Sequence, residues 1–181
     1  PSGPGQITGW SWDFGDGGTS NQQNPTHIYA QPGQWNVTLT VTAANGCTST
    51  VTQPYTNWAF PAAQFSAPSV CDLQAMTFTD QSTVQFSSIV DWQWDFGDNG
   101  ATAQGSATTN HLFSSYGSYS VQLIVTSAEG CSDTVSQSID IYPLPIPDFT
   151  FTEVCEGYTT QLTNQSTIPN GSIPNYTWNL G

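Results

Sequence analysis

A six-residue motif that returns at a regular interval constrains this chain more than any other feature. Residues Trp12–Gly17 read Trp-Asp-Phe-Gly-Asp-Gly, residues Trp94–Asn99 read Trp-Asp-Phe-Gly-Asp-Asn, and a partial third copy starts at Trp178. The intervals from Trp12 to Trp94 and from Trp94 to Trp178 are nearly equal, and each has the length of a whole small domain. The sequence therefore predicts a tandem array of domains, and we expect the chain to be a window on a longer repeat protein.

The repeat register predicts where the domains begin and end. Further residues recur at one common interval: His27, Gly33, Cys47 and Cys71 return as His111, Gly117, Cys131 and Cys155. We predict the C-terminal part of one repeat at residues 1–57, a complete repeat at 58–143 and the N-terminal part of a further repeat at 144–181. Because the chain begins and ends at equivalent points of the repeat, we expect neighbouring repeats and identical chains in a fibre to complete the partial domains.

Apolar and polar residues alternate with period two along most of the chain, which predicts β-strands. The clearest cases are Trp35–Thr42, Met76–Asp80, Val90–Phe96 and Tyr119–Thr126. Turn residues follow the strands, and no segment has the periodicity of an amphipathic helix. About six or seven short strands per repeat predict an all-β chain of tandem β-sandwiches.

The charge of the chain excludes two classes of partner. It has no lysine and no arginine against 13 acidic residues, which gives a net charge of −13. It therefore lacks the cations that bind nucleic acid phosphates, and an anionic membrane surface would repel it. No run of 18 apolar residues is present, so the sequence predicts no membrane insertion. Aromatic residues make up 13% of the chain, so we expect folded domains and not a disordered acidic tail.

The motif together with the residues that follow it resembles the PKD domain, a family of immunoglobulin-like sandwiches. The resemblance rests on Trp12–Gly17, on His27-Ile28-Tyr29 and on Gly33–Leu39, and it covers the whole chain as one full and two partial copies. It implies tandem immunoglobulin-like β-sandwiches. The third copy departs from the pattern because Asn179-Leu180 replaces Asp-Phe. This departure indicates that the carboxylates of Asp13 and Asp95 are not indispensable.

The motif is predicted to have a structural role. Alternation along it directs the tryptophan and phenylalanine side chains into the core, and the glycines permit a bend. The second aspartate of each copy is expected to accept hydrogen bonds from the amides of its own turn. The residues given this role are Trp12, Asp13, Phe14, Gly15, Asp16, Trp94, Asp95, Phe96, Gly97, Asp98 and Trp178.

Calcium binding is the functional alternative for the acidic residues of the motif. PKD-like modules of some secreted proteases bind calcium through acidic loop groups, so the resemblance makes Asp13, Asp16, Asp95 and Asp98 candidates for calcium ligands. No other metal and no cofactor is expected.

No catalytic constellation is visible in the sequence. His27 and His111 are predicted to pack in a turn, because a catalytic histidine needs a nucleophile or a second titratable partner and the sequence offers neither. Two aspartates that share one tight turn cannot face each other across a cleft, as glycosidase carboxylates do. Trp10 and Trp92 are interpreted as core or inter-strand residues in preference to sugar-stacking ones. We therefore predict that the chain is not an enzyme.

The four cysteines are predicted to form disulfides in an extracellular protein. Three pairings are possible, and the sequence does not choose between them. The positions of Cys71 and Cys131 lie at opposite poles of an immunoglobulin-like sandwich, whereas a disulfide needs Cα atoms within about 7 Å. Pairing between repeats or between chains, which would also involve Cys47 and Cys155, is therefore favoured over Cys71–Cys131.

Two functions remain open from the sequence. The leading hypothesis is a structural segment of a long extracellular stalk, adhesin or filament that presents a distal tip for attachment, as in giant surface adhesins of the Bacteroidota that these repeats resemble. The alternative is an accessory module of a secreted hydrolase that binds a polysaccharide or a protein. Both place the chain outside the cell or at its surface, with neighbouring repeats and identical chains as partners.

Overall fold

The computed structural model describes residues 5–180, and that part of the chain is built from strands and loops. In chain order the strands are β1 (Ile7–Asp13), β2 (Thr19–Ser20), β3 (Gly33–Ala43), β4 (Thr48–Asn57), β5 (Phe65–Ser66), β6 (Val70–Cys71), β7 (Met76–Asp80), β8 (Ile89–Asp95), β9 (Thr102–Gln104), β10 (Thr108–His111), β11 (Gly117–Ser127), β12 (Ser132–Tyr142), β13 (Phe149–Phe151) and β14 (Leu162–Asn164). No helix in the described residues is long and apolar enough to cross a membrane. The predicted all-β fold class is confirmed.

The described residues form two compact units. The first takes the described residues up to Ala62 together with residues 82–90 and 125–133, and the second takes residues 63–81, 91–124 and the described residues from 134 onward. The domain limits that the repeat register predicts, after residues 57 and 143, stay a prediction.

The first unit is built on one antiparallel sheet in the order β2-β1-β3-β4. Its central strand β3 pairs with β1 and β4, for example through Trp12↔Leu39 and Leu39↔Val51. One face is polar: the Thr38 and Thr52 hydroxyls, on neighbouring strands, lie 2.9 Å apart. The other face is apolar, yet Phe14 is the only buried residue between residues 5 and 57, and it is still 7% exposed. This sheet therefore has an apolar face that residues 5–57 leave partly open.

The second unit contains the three-stranded sheet β10-β7-β5 and most of the five-stranded sheet β6-β12-β11-β8-β9. The two sheets face each other through aromatic rings: Phe78 of β7 lies 5.8 Å from Trp94 of β8, and Phe65 of β5 lies 5.3 Å from the same ring, centroid to centroid. Buried core residues include Phe65, Met76, Phe78, Trp94, Phe96, Phe113, Val121, Leu123, Ile139 and Ile141. This packing of two sheets on a shared core is the predicted β-sandwich.

Strands β13 and β14 form a two-stranded antiparallel ribbon. Its register pairs Phe149 with Asn164 and Phe151 with Leu162. Residues 172–180 lie in no strand. The ribbon side chains have little cover, since Phe149 is 52% exposed and Phe151 is 60% exposed.

Candidate functional site

The first aspartate of the motif makes the same turn hydrogen bond in the copies at Trp12 and Trp94. The Gly15 amide donates to Asp13 Oδ1 and the Gly97 amide donates to Asp95 Oδ1, both at 2.9 Å. Gly97 has φ of 71°, and a Cβ at this position would collide with the Ser120 carbonyl oxygen. Only glycine fits there, because the conformation is left-handed and the backbone of a neighbouring strand leaves no room for a side chain.

Each motif also supplies a carboxylate to a histidine. His27 Nε2 lies 2.7 Å from Asp16 Oδ2, and His111 Nε2 lies 2.6 Å from Asp98 Oδ2. The expectation that these histidines have no titratable partner is therefore wrong. The partner was missed because 11 and 13 residues separate the two members of a pair. The recurrence of both members of the pair in the second copy of the motif was the signal in the sequence that could have shown the pairing.

Aromatic rings hold both histidines in one orientation. His27 stacks on Phe14 and His111 stacks on Phe96, with ring centroids 4.1 Å apart and planes at 3° in both cases. The other contact is edge-on: Tyr29 lies 4.6 Å from His27 at 90°, and Phe113 takes the same position on His111. The imidazole is thereby fixed, and its Nε2 is occupied by a carboxylate. This geometry ties the motif turn to the segment before the long central strand, as the turn-packing prediction requires.

The two copies differ at the second motif aspartate. Asp16 Oδ1 accepts a hydrogen bond from the Gly18 amide at 2.9 Å, whereas Asp98 Oδ1 is buried and has no hydrogen-bond partner within the described residues. The predicted turn hydrogen bond is thus present at Asp16 and missing at Asp98. The pKa of the Asp16 carboxyl lies below its usual value, chiefly because of the hydrogen bond with His27 and secondly because of the one from the Gly18 amide. Burial raises the pKa of Tyr29, with Asp16 adding to the effect.

The carboxylates offer little to a calcium ion. Calcium takes about six to eight oxygen ligands. Asp13 and Asp95 each use one oxygen on their own turn, and both oxygens of Asp16 are bound. In the described part of the chain no group of three or more His, Cys, Asp or Glu side chains could hold a metal. The calcium hypothesis stays a prediction that this geometry does not strengthen.

The tryptophans in and beside the motif make hydrogen bonds and ring contacts, and the structural role assigned to the motif stays a prediction. Trp94 is 2% exposed, and its indole donates to the Ser106 carbonyl at 3.1 Å. Trp92, two residues earlier, donates to Asp80 Oδ2 at 2.8 Å. Trp178 in the partial third copy packs edge-on against Phe149 at 5.4 Å.

The cysteines are unpaired within the described residues, with Cys47 and Cys155 exposed and Cys71 and Cys131 half-buried. Cys71 pairs in register with Tyr142, the last residue of β12, while Cys131 comes directly before the first residue of that strand. The predicted pairing between repeats or chains stays untested.

The open apolar face of the first unit forms a groove of about 520 Å³. Its lining residues come from β1, β3 and β4 and from the segments next to them: Trp12, Phe14, His27, Tyr29, Val37, Leu39, Val51, Gln53, Pro54 and Tyr55. The sequence reasoning did not single out this surface, although the repeat register contains it. The groove joins the His27 cluster to the half-buried side chains of β3.

Comparison with known proteins places these features in a family. The PKD domain matches residues 2–57 and again residues 58–141. The chain belongs to the PKD domain family. The expected resemblance to tandem PKD domains is thus confirmed.

The relatives of this PKD chain include proteins named as a metalloprotease and as collagenases. It is 35% identical over 140 residues to the pre-pro-metalloprotease PrtV of Vibrio cholerae serotype O1 (strain M66-2), a match that covers 76% of this chain and 15% of that protein. It is 50% identical over 48 residues to the microbial collagenase of Vibrio alginolyticus, which covers 26% of this chain and 6% of that protein. The chain thus spans only a small part of either relative.

The solved structures similar to this chain include a PKD domain of the same metalloprotease. The PKD1 domain of the Vibrio cholerae metalloprotease PrtV is 36% identical with a TM-score of 0.41, over 45% of this chain and 96% of that chain. These relatives are not the Bacteroidota surface adhesins that the sequence resemblance led us to expect, and that part of the expectation finds no support.

Proposed function

We propose that the chain is a non-catalytic, extracellular PKD segment that serves as an accessory module of a secreted hydrolase and binds a protein or polysaccharide. The observation that carries this proposal is the tandem family match combined with relatives that are a metalloprotease and collagenases. The histidine clusters support it, because both imidazoles are stacked and tied to a carboxylate, with no hydrogen bond to a hydroxyl or thiol in the described residues.

The charge restricts what such a module binds. With a net charge of −13 and neither lysine nor arginine, the chain repels sulfated and other anionic polysaccharides. Neutral polysaccharides and fibrous proteins that carry basic residues are the compatible ligands. Attraction to a basic protein weakens as salt is added, whereas stacking on a neutral sugar does not.

Sedimentation with an insoluble ligand tests this function. The whole chain is mixed with collagen fibres, with a neutral polysaccharide and with an anionic one, at low and high salt, and the unbound protein is measured. We expect binding to collagen or the neutral polysaccharide, no binding to the anionic one, and no cleavage of any ligand. Absence of binding to both compatible ligands would contradict the module function, and cleavage would contradict its non-catalytic character.

A second candidate is the stalk or filament that presents a distal tip for attachment. The recurrence of one motif at nearly equal intervals, at Trp12, Trp94 and Trp178, favours it, because similar domains in series make a spacer. Its partners are neighbouring repeats and identical chains, with disulfides between repeats or chains holding them in line. Peptide mapping without reduction tests the last point: a Cys71–Cys131 bridge would contradict it.

A further inference from the structure

We propose that a pocket at the first joint, the segment 57–62 where one PKD match gives way to the next, binds a neutral polysaccharide chain. This rests on the proposed function and adds to it the site and the class of ligand. The pocket has a volume of about 610 Å³, and all of its lining residues belong to the first unit. They come from the loop before β3, from the end of β4 with the segment after it, and from the loop between β7 and β8.

Exposed aromatic rings are grouped at this pocket. Trp58 and Phe60 line it and are 38% and 75% exposed. Phe86, which directly follows the lining residue Gln85, is 57% exposed. Large apolar side chains that stay in water together mark a binding surface, because their burial against a ligand is favourable. Such rings pack on the apolar C–H face of a sugar, and a tryptophan also has an indole N–H to donate.

The backbone at Phe86 supports a binding role for its ring. Phe86 has φ of 61°, in the left-handed region that a bulky residue rarely adopts. Phe86 lies three residues after the bridge residue Thr83, just as Asn170 lies three residues after the equivalent bridge residue Thr167. Asn170 has φ of 54°, a conformation that asparagine tolerates. Phenylalanine thus strains a position where the same chain elsewhere has asparagine, and we attribute this to a contact of the exposed ring with the ligand.

Amide side chains supply polar contacts beside the rings. Gln31 and Gln85 line the pocket, and neither side chain has a hydrogen-bond partner in the described part of the chain. A side-chain amide both donates and accepts hydrogen bonds, as sugar hydroxyls require. None of the lining residues carries a charge, although the net charge of the chain is −13. The pocket therefore suits an uncharged ligand rich in hydroxyls, and it lacks the carboxylates that would bind the cations of a basic protein.

Hydrogen bonds hold the walls of the pocket together. Asn57 Nδ2 donates to the Gln31 carbonyl at 2.8 Å, which joins the end of β4 to the loop before β3. Ala62 and Thr83 form an antiparallel bridge with amide-to-carbonyl distances of 2.8 and 3.1 Å, which joins the segment after β4 to the loop between β7 and β8. The walls are thus fixed before a ligand binds, so little conformational entropy is lost on binding.

Side chains at this position of the repeat stay exposed in the complete repeat as well. Tyr142 and Leu144 of the second joint, residues 141–146, are the equivalents of Trp58 and Phe60. Tyr142 is 53% exposed and Leu144 is 40% exposed, although Tyr142 pairs in register with Cys71 of β6. The exposure of Trp58 and Phe60 is therefore a property of the joint itself.

The second joint lacks the amide side chains of the first. Ile141 and Pro169 take the places of Asn57 and Gln85. Ile141 is 4% exposed and cannot give the hydrogen bond that Asn57 gives to the loop before β3. The proposed site is therefore the first joint, and the second joint supplies a matched control.

Sedimentation of the whole chain with two insoluble neutral polysaccharides, microcrystalline cellulose and chitin, tests the site at about 0.15 M salt. Trp58→Ala should weaken binding about 10-fold, because a stacking ring is lost. Gln85→Ala should weaken it about fivefold, because one hydrogen bond is lost. Tyr142→Ala, at the equivalent position of the second joint, should leave binding unchanged. Thermal unfolding followed by circular dichroism checks that each variant is folded.

Phe86→Asn separates binding from stability. This variant should unfold at a higher temperature than the unaltered chain, because asparagine relieves the strain of the left-handed conformation. Its binding should nevertheless fall about 10-fold, since the exposed ring is lost. A lower unfolding temperature with unchanged binding would overturn the role of this ring.

Collagen fibres, tested in parallel, distinguish failure of the site from failure of the function. Binding to collagen but to neither polysaccharide would overturn the ligand class and leave the accessory-module function standing. Polysaccharide binding that Trp58→Ala does not weaken, or that Tyr142→Ala weakens equally, would overturn the assignment to the first joint alone. Binding to none of the three ligands would overturn both the site and the function.

Discussion

One leucine position of the repeat is buried in one copy and half-buried in the other. Truncation of this leucine to alanine should therefore destabilise the complete sandwich more than the sheet with the open face. Leu123 on β11 is 0% exposed, whereas Leu39, its equivalent on β3 in the preceding repeat, is half-buried and lines the groove. Truncation of a buried leucine to alanine loses its transfer free energy and leaves a cavity, at a cost of about 2–5 kcal/mol. At Leu39 no closed cavity forms and only part of the transfer free energy is lost, so Leu39→Ala is expected to cost about 1 kcal/mol.

Native-state hydrogen exchange measures the two losses separately, since a chain with more than one unit has no single free energy of unfolding. Leu123→Ala should accelerate exchange in β11 about 100-fold, and Leu39→Ala should accelerate exchange in β3 about fivefold. Gln122→Ala and Thr38→Ala, on the opposite faces of the same strands, are the controls and should change stability by no more than about 0.5 kcal/mol. Equal effects of the two leucine variants would refute the assignment of an open face to the first unit.

Three further variants probe the motif turn. His111→Ala should destabilise the second unit by about 1–3 kcal/mol, measured by urea unfolding, because Asp98 then loses the histidine that pairs with its carboxylate; unchanged stability would show that the pair is incidental. Because the pKa of the Asp16 carboxyl is lowered in the folded state, the ionised carboxylate stabilises the first unit. This contribution is complete above the ordinary carboxyl pKa of 3.8 and is lost as the pH falls through the lower pKa of the folded state. Asp16→Asn should therefore flatten the acid side of a plot of the stability of the first unit against pH. Gly97→Ala should cost about 2 kcal/mol or more in thermal unfolding, whereas Gly100→Ala, whose Cβ would meet open space, should cost about 1 kcal/mol; equal costs would contradict the close contact at Gly97.

The strands could be predicted from the sequence because alternation is a local signal. Met76–Asp80 was predicted as a strand and is β7, and Tyr119–Thr126 lies within β11. Burial along β11 follows the period of two, with Val121 and Leu123 buried and the residues between them less so. A sheet with one buried face imposes this pattern on its own sequence, so local reading was sufficient.

The histidine pairs and the groove could not be predicted in the same way. His27 meets Asp16 only because the turn at Gly15 and the stacking on Phe14 bring two loops together, and such a contact leaves no periodic pattern. The groove arises from tertiary context: Leu39 and Leu123 have similar local sequences but differ in burial, and local sequence does not encode that difference. The ribbon register was also beyond local reading, because β13 and β14 are very short strands.

The complete coding sequence of the protein tests the central functional claim most directly. We predict a peptidase or another hydrolase domain in the same polypeptide as this segment, accompanied by a few PKD copies, because the relatives are a metalloprotease and collagenases. A polypeptide that contains a long series of PKD copies and no hydrolase domain would contradict the accessory-module function and favour the stalk.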